Sequence, residues 1–351
     1  MNAMAFGTLR DSHVTLSHGG GGKAMADLIE TVFFPAFGPG SGEDQARLTA
    51  DALCEPGARL ALTTDSFVVT PLEFPGGDIG KLAVCGTVND LAVGGARPLW
   101  LSAAFIIEEG CEIALLQRVV ASMAREAALA GVRIVTGDTK VVGRGSADGV
   151  FVTTSGVGVI PAGRDLVAAR IRPGDVVLVN GVLGDHGAAI LAARGDLALS
   201  TDLVSDCQGL GHLMEAVLAA APGTRAARDA TRGGLAAALN EMALAAGCGI
   251  EIREDALPLR PEVRGVCEIL GLDPLYLANE GTLVLFVPEA EAEAALCAMR
   301  SRPEGQGAAI IGRAVAASEG GAHTARVQMV TSFGGRRIVD RLVGEQLPRI
   351  C

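Results

Sequence analysis

The sequence predicts a two-domain protein of the mixed α/β (α+β) class, and three observations predict it. The chain has 351 residues, enough for two domains of ordinary size. Apolar runs of strand length alternate with segments of helical period on both sides of a stretch at 161–173 that begins and ends in proline. Hydrophobic residues make up 49% of the chain but aromatics only 3%, so both cores must be built from Ala, Val, Leu and Ile.

In the first block, Leu60 to Thr64 reads as a strand, followed by a short strand from Phe67 to Val69. Asp78 is placed to cap a helix that runs to about Gly94, with Ile79, Leu82, Ala83, Gly86 and Val93 on one apolar stripe. Ile113 to Ala130 repeats apolar residues about one turn apart and predicts a second helix. Val132 to Val135 and Val150 to Ile160 predict strands. In the second block Val176 to Val179 is a strand, and helices are expected at about Gly187 to Ala193, Gly211 to Ala220 and Gly234 to Ala246. Ile250 to Ile252, Thr282 to Val287 and Ala308 to Val315 complete the strands. The expected division is 1–161, 162–340 and a flexible tail, 341–351.

Lys plus Arg total 29 against 40 Asp plus Glu, a formal charge of −11, which disfavours electrostatic binding of nucleic acid. No apolar run is long enough for a membrane span, and Met1 to His13 lacks the apolar centre of a signal peptide, so a cytoplasmic protein is expected. The eight cysteines (54, 85, 111, 207, 248, 267, 297 and 351) contain no C-x-x-C pair, which argues against a zinc site or a disulfide framework. Cys351 closes the sequence behind Leu347-Pro348-Arg349-Ile350. Pro348 biases Gln346-Leu347 toward an extended form, and ten extended residues reach roughly 33 Å. A thiol on such a tail can be carried into an active site.

Several segments carry chemistry. In His18-Gly19-Gly20-Gly21-Gly22-Lys23, four glycines allow backbone N–H groups to approach an anion, and a helix follows at once with Met25, Leu28, Ile29 and Val32 on one face. Ser17 and Ala24 rule out a Walker loop, and a plain flexible loop is the other reading. Asn89 and Asp90 fall on the apolar stripe of the helix behind Asp78, where a carboxylate is costly unless paired or metal-bound. Asp65 and Asp138 are read as lying just past strand ends, where open α/β sheets bind ligands. Asp65, Asp90 and Asp138 can then converge on magnesium, although each alone is commonly a turn or cap residue. Lys140 is within reach of a phosphate. Arg228-Asp229-Ala230-Thr231-Arg232-Gly233-Gly234 sets an acid, a hydroxyl and two arginines at a helix start, suited to phosphate and metal or simply to capping. His186, in Gly184-Asp185-His186-Gly187, can be catalytic but reads first as a packing or capping residue. Glu280, in Asn279-Glu280-Gly281, is a candidate base or metal ligand.

Taken together, these segments resemble the HypE family of hydrogenase maturation factors, within the PurM-like superfamily of aminoimidazole ribonucleotide and selenophosphate synthetases. The matching pieces include Thr64-Asp65-Ser66, Val84 to Asp90, Gly137-Asp138-Thr139-Lys140 and the closing Pro348-Arg349-Ile350-Cys351, which singles out the family. The resemblance implies a PurM-like fold with a dimerising N-terminal domain, a homodimer, and ATP with Mg2+ in the cleft between domains. It implies that a carbamoyltransferase, HypF, loads the Cys351 thiol and that this chain dehydrates the carbamoyl group to a thiocyanate. The cyano group would pass to iron on a HypC–HypD complex. By likeness Asp65, Asp90, Asp138 and Asp229 hold magnesium. Gly19, Gly20, Gly21, Gly22, Lys23, Asn89, Thr139 and Arg232 hold nucleotide, and Glu280 and Lys140 lie near the sulfur. A small-molecule kinase of the same superfamily and a carrier that only shuttles a thiol-bound group are the rival readings. No cysteine precedes Cys54, which counts against a selenophosphate synthetase.

Overall fold

The computed structural model describes residues 5–39, 45–53, 55–195, 202–317, 326–342 and 349–351. Cys54 and the Gln346-Leu347-Pro348 stretch of the tail lie outside them.

Helix α1 (Lys23–Leu28) starts directly behind the glycines and continues through a π-helical turn into α2 (Phe34–Phe37). Leu28 and Val32 are fully buried, as their spacing predicts. The first domain continues with β1 (Arg59–Phe67), a short hairpin of β2 (Glu73–Phe74) and β3 (Gly77–Asp78), then α3 (Ile79–Val93), β4 (Arg97–Glu108), α4 (Ile113–Ala130), β5 (Arg133–Val142) and β6 (Val150–Ile160). Its main sheet has the order β1-β6-β4-β5, with only β4 and β5 parallel. One face packs on α3 and α4 through Phe67, Leu101, Phe105 and Val152. The other face is open: Leu60 is 64% exposed, Leu62 76% and Ile106 41%.

Helix α3 is capped as expected, the Asp78 carboxylate accepting from Gly80 N at 2.7 Å and Lys81 N at 3.0 Å. It is buried on nearly all sides rather than along one stripe. The first sheet covers one side, and Ala92 and Val93 join a core of the second domain.

The second domain runs β7 (Val176–Val179), α5 (Asp185–Arg194), α6 (Gly211–Ala220), β8 (Ala226–Asp229), α7 (Gly234–Ala246), β9 (Gly249–Arg253), α8 (Pro261–Leu270), β10 (Leu283–Val287), α9 (Ala292–Arg300), β11 (Ala309–Val315), β12 (Val327–Val330) and β13 (Arg336–Val339). The sheet order is β13-β12-β9-β11-β7-β10-β8, antiparallel except for β12 with β9. Val177, Val179, Val284 and Phe286 meet Leu235, Leu239 and Met242 of α7 on one face. Leu178, Leu283 and Leu285 meet α6 and α9 on the other. Burial on both faces is why β7 and β10 are unbroken apolar runs.

Three expectations are corrected. In place of separate strands at Leu60–Thr64 and Phe67–Val69 there is one strand, β1, which runs unbroken to Phe67 and leaves Val68 and Val69 outside it. Asp65 and Asp138 therefore lie inside long strands, not past strand ends. The cause is the open face: its residues are polar in Thr64, Ser66, Asp138 and Lys140, so the apolar signal fades while the ladder continues. Finally β4, which lies between β6 and β5, went unread because Pro98 and the small residues Ser102, Ala103 and Ala104 dilute its strand signal.

Candidate active site

The chain's end is docked at the junction of the two domains. Ile350 is buried in the first domain's core cluster, which Cys351 also touches. The Arg349 carbonyl accepts from Arg194 Nη2 at 2.8 Å and from Thr70 N at 3.2 Å. The Arg349 guanidinium pairs with Asp148 at 2.9 Å. The Ile350 carbonyl meets His186 Nε2 at 2.7 Å.

This docking sets the Cys351 thiol beside the Glu280 carboxyl, close enough for each to shift the other's pKa. Glu280 is buried, and its Oε1 has no hydrogen-bond partner among the described residues. Burial first, then the charges of Asp206, Asp229 and Asp65, push its pKa well above the usual carboxylate range. Burial and the neighbouring Glu280 likewise raise the Cys351 thiol, while Arg232 opposes them. A thiol held neutral is a poor free nucleophile but a well-placed anchor for a group attached elsewhere.

Glu280 is held from three sides. The Asp206 carboxylate accepts from Glu280 N, Gly281 N and the Thr282 hydroxyl, each at 3.0 Å. Asn279 accepts from Gly184 N at 2.7 Å and donates to the Ala230 carbonyl at 2.8 Å. Asn89 on α3 donates to the Gln208 and Glu280 carbonyls at 3.0 and 3.4 Å and accepts from Leu210 N at 2.7 Å. Its amide thus braces the domain junction. Gly281 is required by contact: a Cβ there would stand 1.8 Å from the Asp206 carbonyl.

Beside Glu280 the acids gather. Asp90 accepts from the Thr63 hydroxyl at 2.7 Å, and Asp229 ends β8. Burial, then the charges of Asp90 and Asp65, raise the Asp229 pKa to about 7. Burial also raises Asp90. Arg232 reaches across from the second domain to within 3.9 Å of Asp65. No three acids, histidines or cysteines among the described residues form a ready-made metal shell. The mutual repulsion of Asp65, Asp90 and Asp229 is nonetheless the electrostatic environment a hard cation relieves.

The expected convergence with Asp138 does not occur within the chain. Asp138 aligns with Ala104 on β4, Thr153 on β6 and Ser66 on β1, three strand spacings away, roughly 14 Å. It also points to the open face, whereas Asp65 faces α3; neighbouring residues of a strand alternate in direction. There Asp138 pairs with Lys140 at 2.8 Å, and that bond lowers its pKa. Thr139 is buried on the opposite side of β5. The glycine loop lies against the same strand, Gly19 fitting where a Cβ would stand 2.9 Å from Val141 N. Gly20, Gly21, Gly22 and Lys23 follow it at the start of α1, with open space around Gly21 and Gly22. The predicted residues therefore form two groups. Asp65, Asp90, Asp229, Arg232, Glu280 and Cys351 surround the domain junction, with Asn89 behind them. The glycine loop, Lys23, Asp138, Thr139 and Lys140 cluster at β5.

Sequence reasoning missed Asp206, Ser205 and Arg194. Asp206 sits in an irregular stretch before α6 with no motif around it. Only a contact between distant segments reveals it.

Two α/β domains of this topology, meeting at a cluster of acids, define a member of the PurM-like, AIR-synthase-related superfamily. The family model "AIR synthase related protein, N-terminal domain" matches residues 42–160, and its C-terminal counterpart matches 172–324. Beyond the superfamily, the chain is 76% identical to "Carbamoyl dehydratase HypE" of Rhodobacter capsulatus, over 98% of this chain and 99% of that one. A solved HypE in complex with ATP superposes with a TM-score of 0.89 at 46% identity, covering 96% of this chain and 99% of that one. The HypE of a solved HypE–HypF complex does so at 0.77 and 45%, covering 84% and 97%. The chain belongs to the HypE family of carbamoyl dehydratases.

Proposed function

We propose that this chain dehydrates an S-carbamoyl group on Cys351 to a thiocyanate, consuming ATP, and so supplies a cyanide ligand for the iron of nickel–iron hydrogenase. The observation that carries the reading is the docked tail, which sets the Cys351 thiol beside the buried Glu280 carboxyl at the acidic domain junction.

The chemistry runs in two steps. The carbamoyl oxygen attacks the γ-phosphorus of ATP, the bond to the β-phosphate oxygen breaks, and ADP leaves. The oxygen, now esterified, is a good leaving group. The nitrogen then gives up its two protons, the carbon–oxygen bond breaks, phosphate departs, and a carbon–nitrogen triple bond remains on sulfur. Arg232 offsets phosphate charge, and burial around Glu280 keeps water from the reacting carbon. Glu280, beside the sulfur, accepts one of the two protons from nitrogen, and the departing phosphate takes the other. Lys140 lies on the far face of the first sheet within its own chain. Asp65, Asp90 and Asp229 would hold Mg2+, which supplies charge neutralisation at the phosphates.

Homodimer formation through the open face of β1-β6-β4-β5 covers Leu60, Leu62 and Ile106 and sets Asp138 and Lys140 against the second copy. We further propose HypF as the carbamoyl donor, a HypC–HypD complex as the acceptor, a domain boundary near 161–162, and a cytoplasmic location. No helix among the described residues is long and apolar enough to cross a membrane.

The test is the mass of the C-terminal peptide after incubation with carbamoyltransferase, carbamoyl phosphate and ATP–Mg2+. Cys351 is expected to gain one carbamoyl group and then lose one water, only with hydrolysable ATP. Glu280→Gln should stop at the carbamoyl stage. An unmodified Cys351 beside an active transferase overturns the reading and favours a small-molecule kinase.

A further inference from the structure

The second domain reads the main chain of the docked tail. Ser205 Oγ accepts from Cys207 N at 3.0 Å, which leaves its own hydrogen to donate to His186 Nδ1 at 2.8 Å. The Ile350 carbonyl can only accept, so His186 Nε2 carries the hydrogen that closes the 2.7 Å contact. The chain of donors runs in one direction from the 202–210 loop to the tail. It is anchored in the first domain as well, Ser205 N donating to the Pro75 carbonyl at 2.8 Å and Phe74 standing edge-on to the His186 ring at 5.5 Å. Arg194, at the other end of α5, takes the carbonyl of the preceding residue, Arg349, and also donates to the Thr70 carbonyl at 3.0 Å. One short helix thus holds two successive tail carbonyls, and neither bond involves the Cys351 side chain.

We propose that His186, oriented by Ser205, and Arg194 form a latch that holds the Arg349-Ile350 main chain and thereby positions Cys351 against Glu280. These are positioning residues, resting on the reading of Cys351 as the carrier of the reacting group. Because the latch grips main chain, it holds the tail with or without a group on the sulfur. The free docked thiol is correspondingly shielded from reagents in solution.

The experiment measures alkylation of Cys351 by a charged maleimide, resolved peptide by peptide in the full-length protein, with the exposed Cys297 as internal standard. Losing one buried hydrogen bond to the tail is expected to raise Cys351 labelling relative to Cys297 roughly tenfold in His186→Leu and several-fold in Arg194→Ala. His186→Gln, which keeps a donor, should restore much of the protection. In single turnover from a carbamoylated chain, the variants should lose rate with the ATP concentration for half-maximal rate unchanged. Equal labelling of Cys351 in wild type and both variants overturns the latch. If His186→Leu also exposes the buried Cys207, the protein has loosened generally, and Arg194→Ala decides: unchanged labelling there overturns the proposal. Because labelling needs neither ATP nor carbamoyl phosphate, it stands or falls apart from the dehydratase chemistry.

Discussion

Replacing Asp206 by Asn tests whether Glu280 is held in place by a carboxylate. The wild-type side chain presents Oδ1 to Glu280 N and Oδ2 to Gly281 N and the Thr282 hydroxyl. Asn offers one acceptor. Turned to satisfy Gly281 and Thr282, its amide nitrogen faces Glu280 N, donor against donor. An unsatisfied buried N–H costs about 1–3 kcal/mol, and the two surviving bonds lose charge assistance worth about 1 kcal/mol each. Removing a charge that Glu280 and Asp185 both feel returns part of this. The net destabilisation is about 2–4 kcal/mol, which lowers the transition of a domain this size by about 10 °C. Scanning calorimetry reads that shift. Dehydration should fall at least about tenfold, because the carboxyl moves while ATP binding is spared. A transition within about 2 °C of wild type refutes the claim that the carboxylate organises the Asn279-Glu280-Gly281 turn.

Two further outcomes are expected. Leu62→Glu places a charge in the middle of the open sheet face, so sedimentation equilibrium should report one chain mass where the proposed wild-type dimer gives two; an unchanged dimer refutes that face as the interface. Burial lowers the His186 pKa from 6.5 to about 4, so the folded protein keeps this ring neutral. Below pH 6.5 the unfolded chain binds the proton that the folded one refuses. Stability therefore falls with pH through this window by about 1.4 kcal/mol per unit, about 3 kcal/mol in all. His186→Gln should flatten that part of the urea-midpoint profile between pH 6.5 and 4, and parallel profiles for the two proteins refute it.

How much of this was legible in the sequence depends on whether the signal was local. Helix α4 and strand β6 coincide with their predicted bounds because amphipathic period and strand alternation are written in consecutive residues. The Asp78 cap was legible for the same reason. Asp138 was misplaced because the face a strand residue takes depends on parity and register across four strands, and a polar open face hides where the strand ends. Asn89 was read as a nucleotide ligand, yet its amide is occupied with the Gln208, Glu280 and Leu210 main chain, partners more than a hundred residues away. Asp206 had no local signal at all. From its motif His186 can be catalytic but reads first as a packing or capping residue; the structure makes it a packing residue. The group it packs against is the chain's own end, and no spacing rule joins positions 186 and 350.

The junction sets two demands against each other. On the proposed reading Glu280 is buried to exclude water from a reacting carbon, yet burial beside Asp206, Asp229 and Asp65 pushes its pKa well above the usual carboxylate range. The protonated form that this favours has no place for a proton from nitrogen. A cation held by the proposed ligands Asp65, Asp90 and Asp229 would screen two of the charges that raise Glu280, those of Asp229 and Asp65, and so would lower its pKa. The same logic explains why the tail is held by main-chain bonds and by Ile350 rather than by its thiol. A contact to the sulfur would be broken and remade at every stage of the chemistry, whereas carbonyls gripped by His186 and Arg194 stay the same throughout. On this reading the fold separates holding the tail from reacting at its end, with the first at α5 and the second at the turn that carries Glu280.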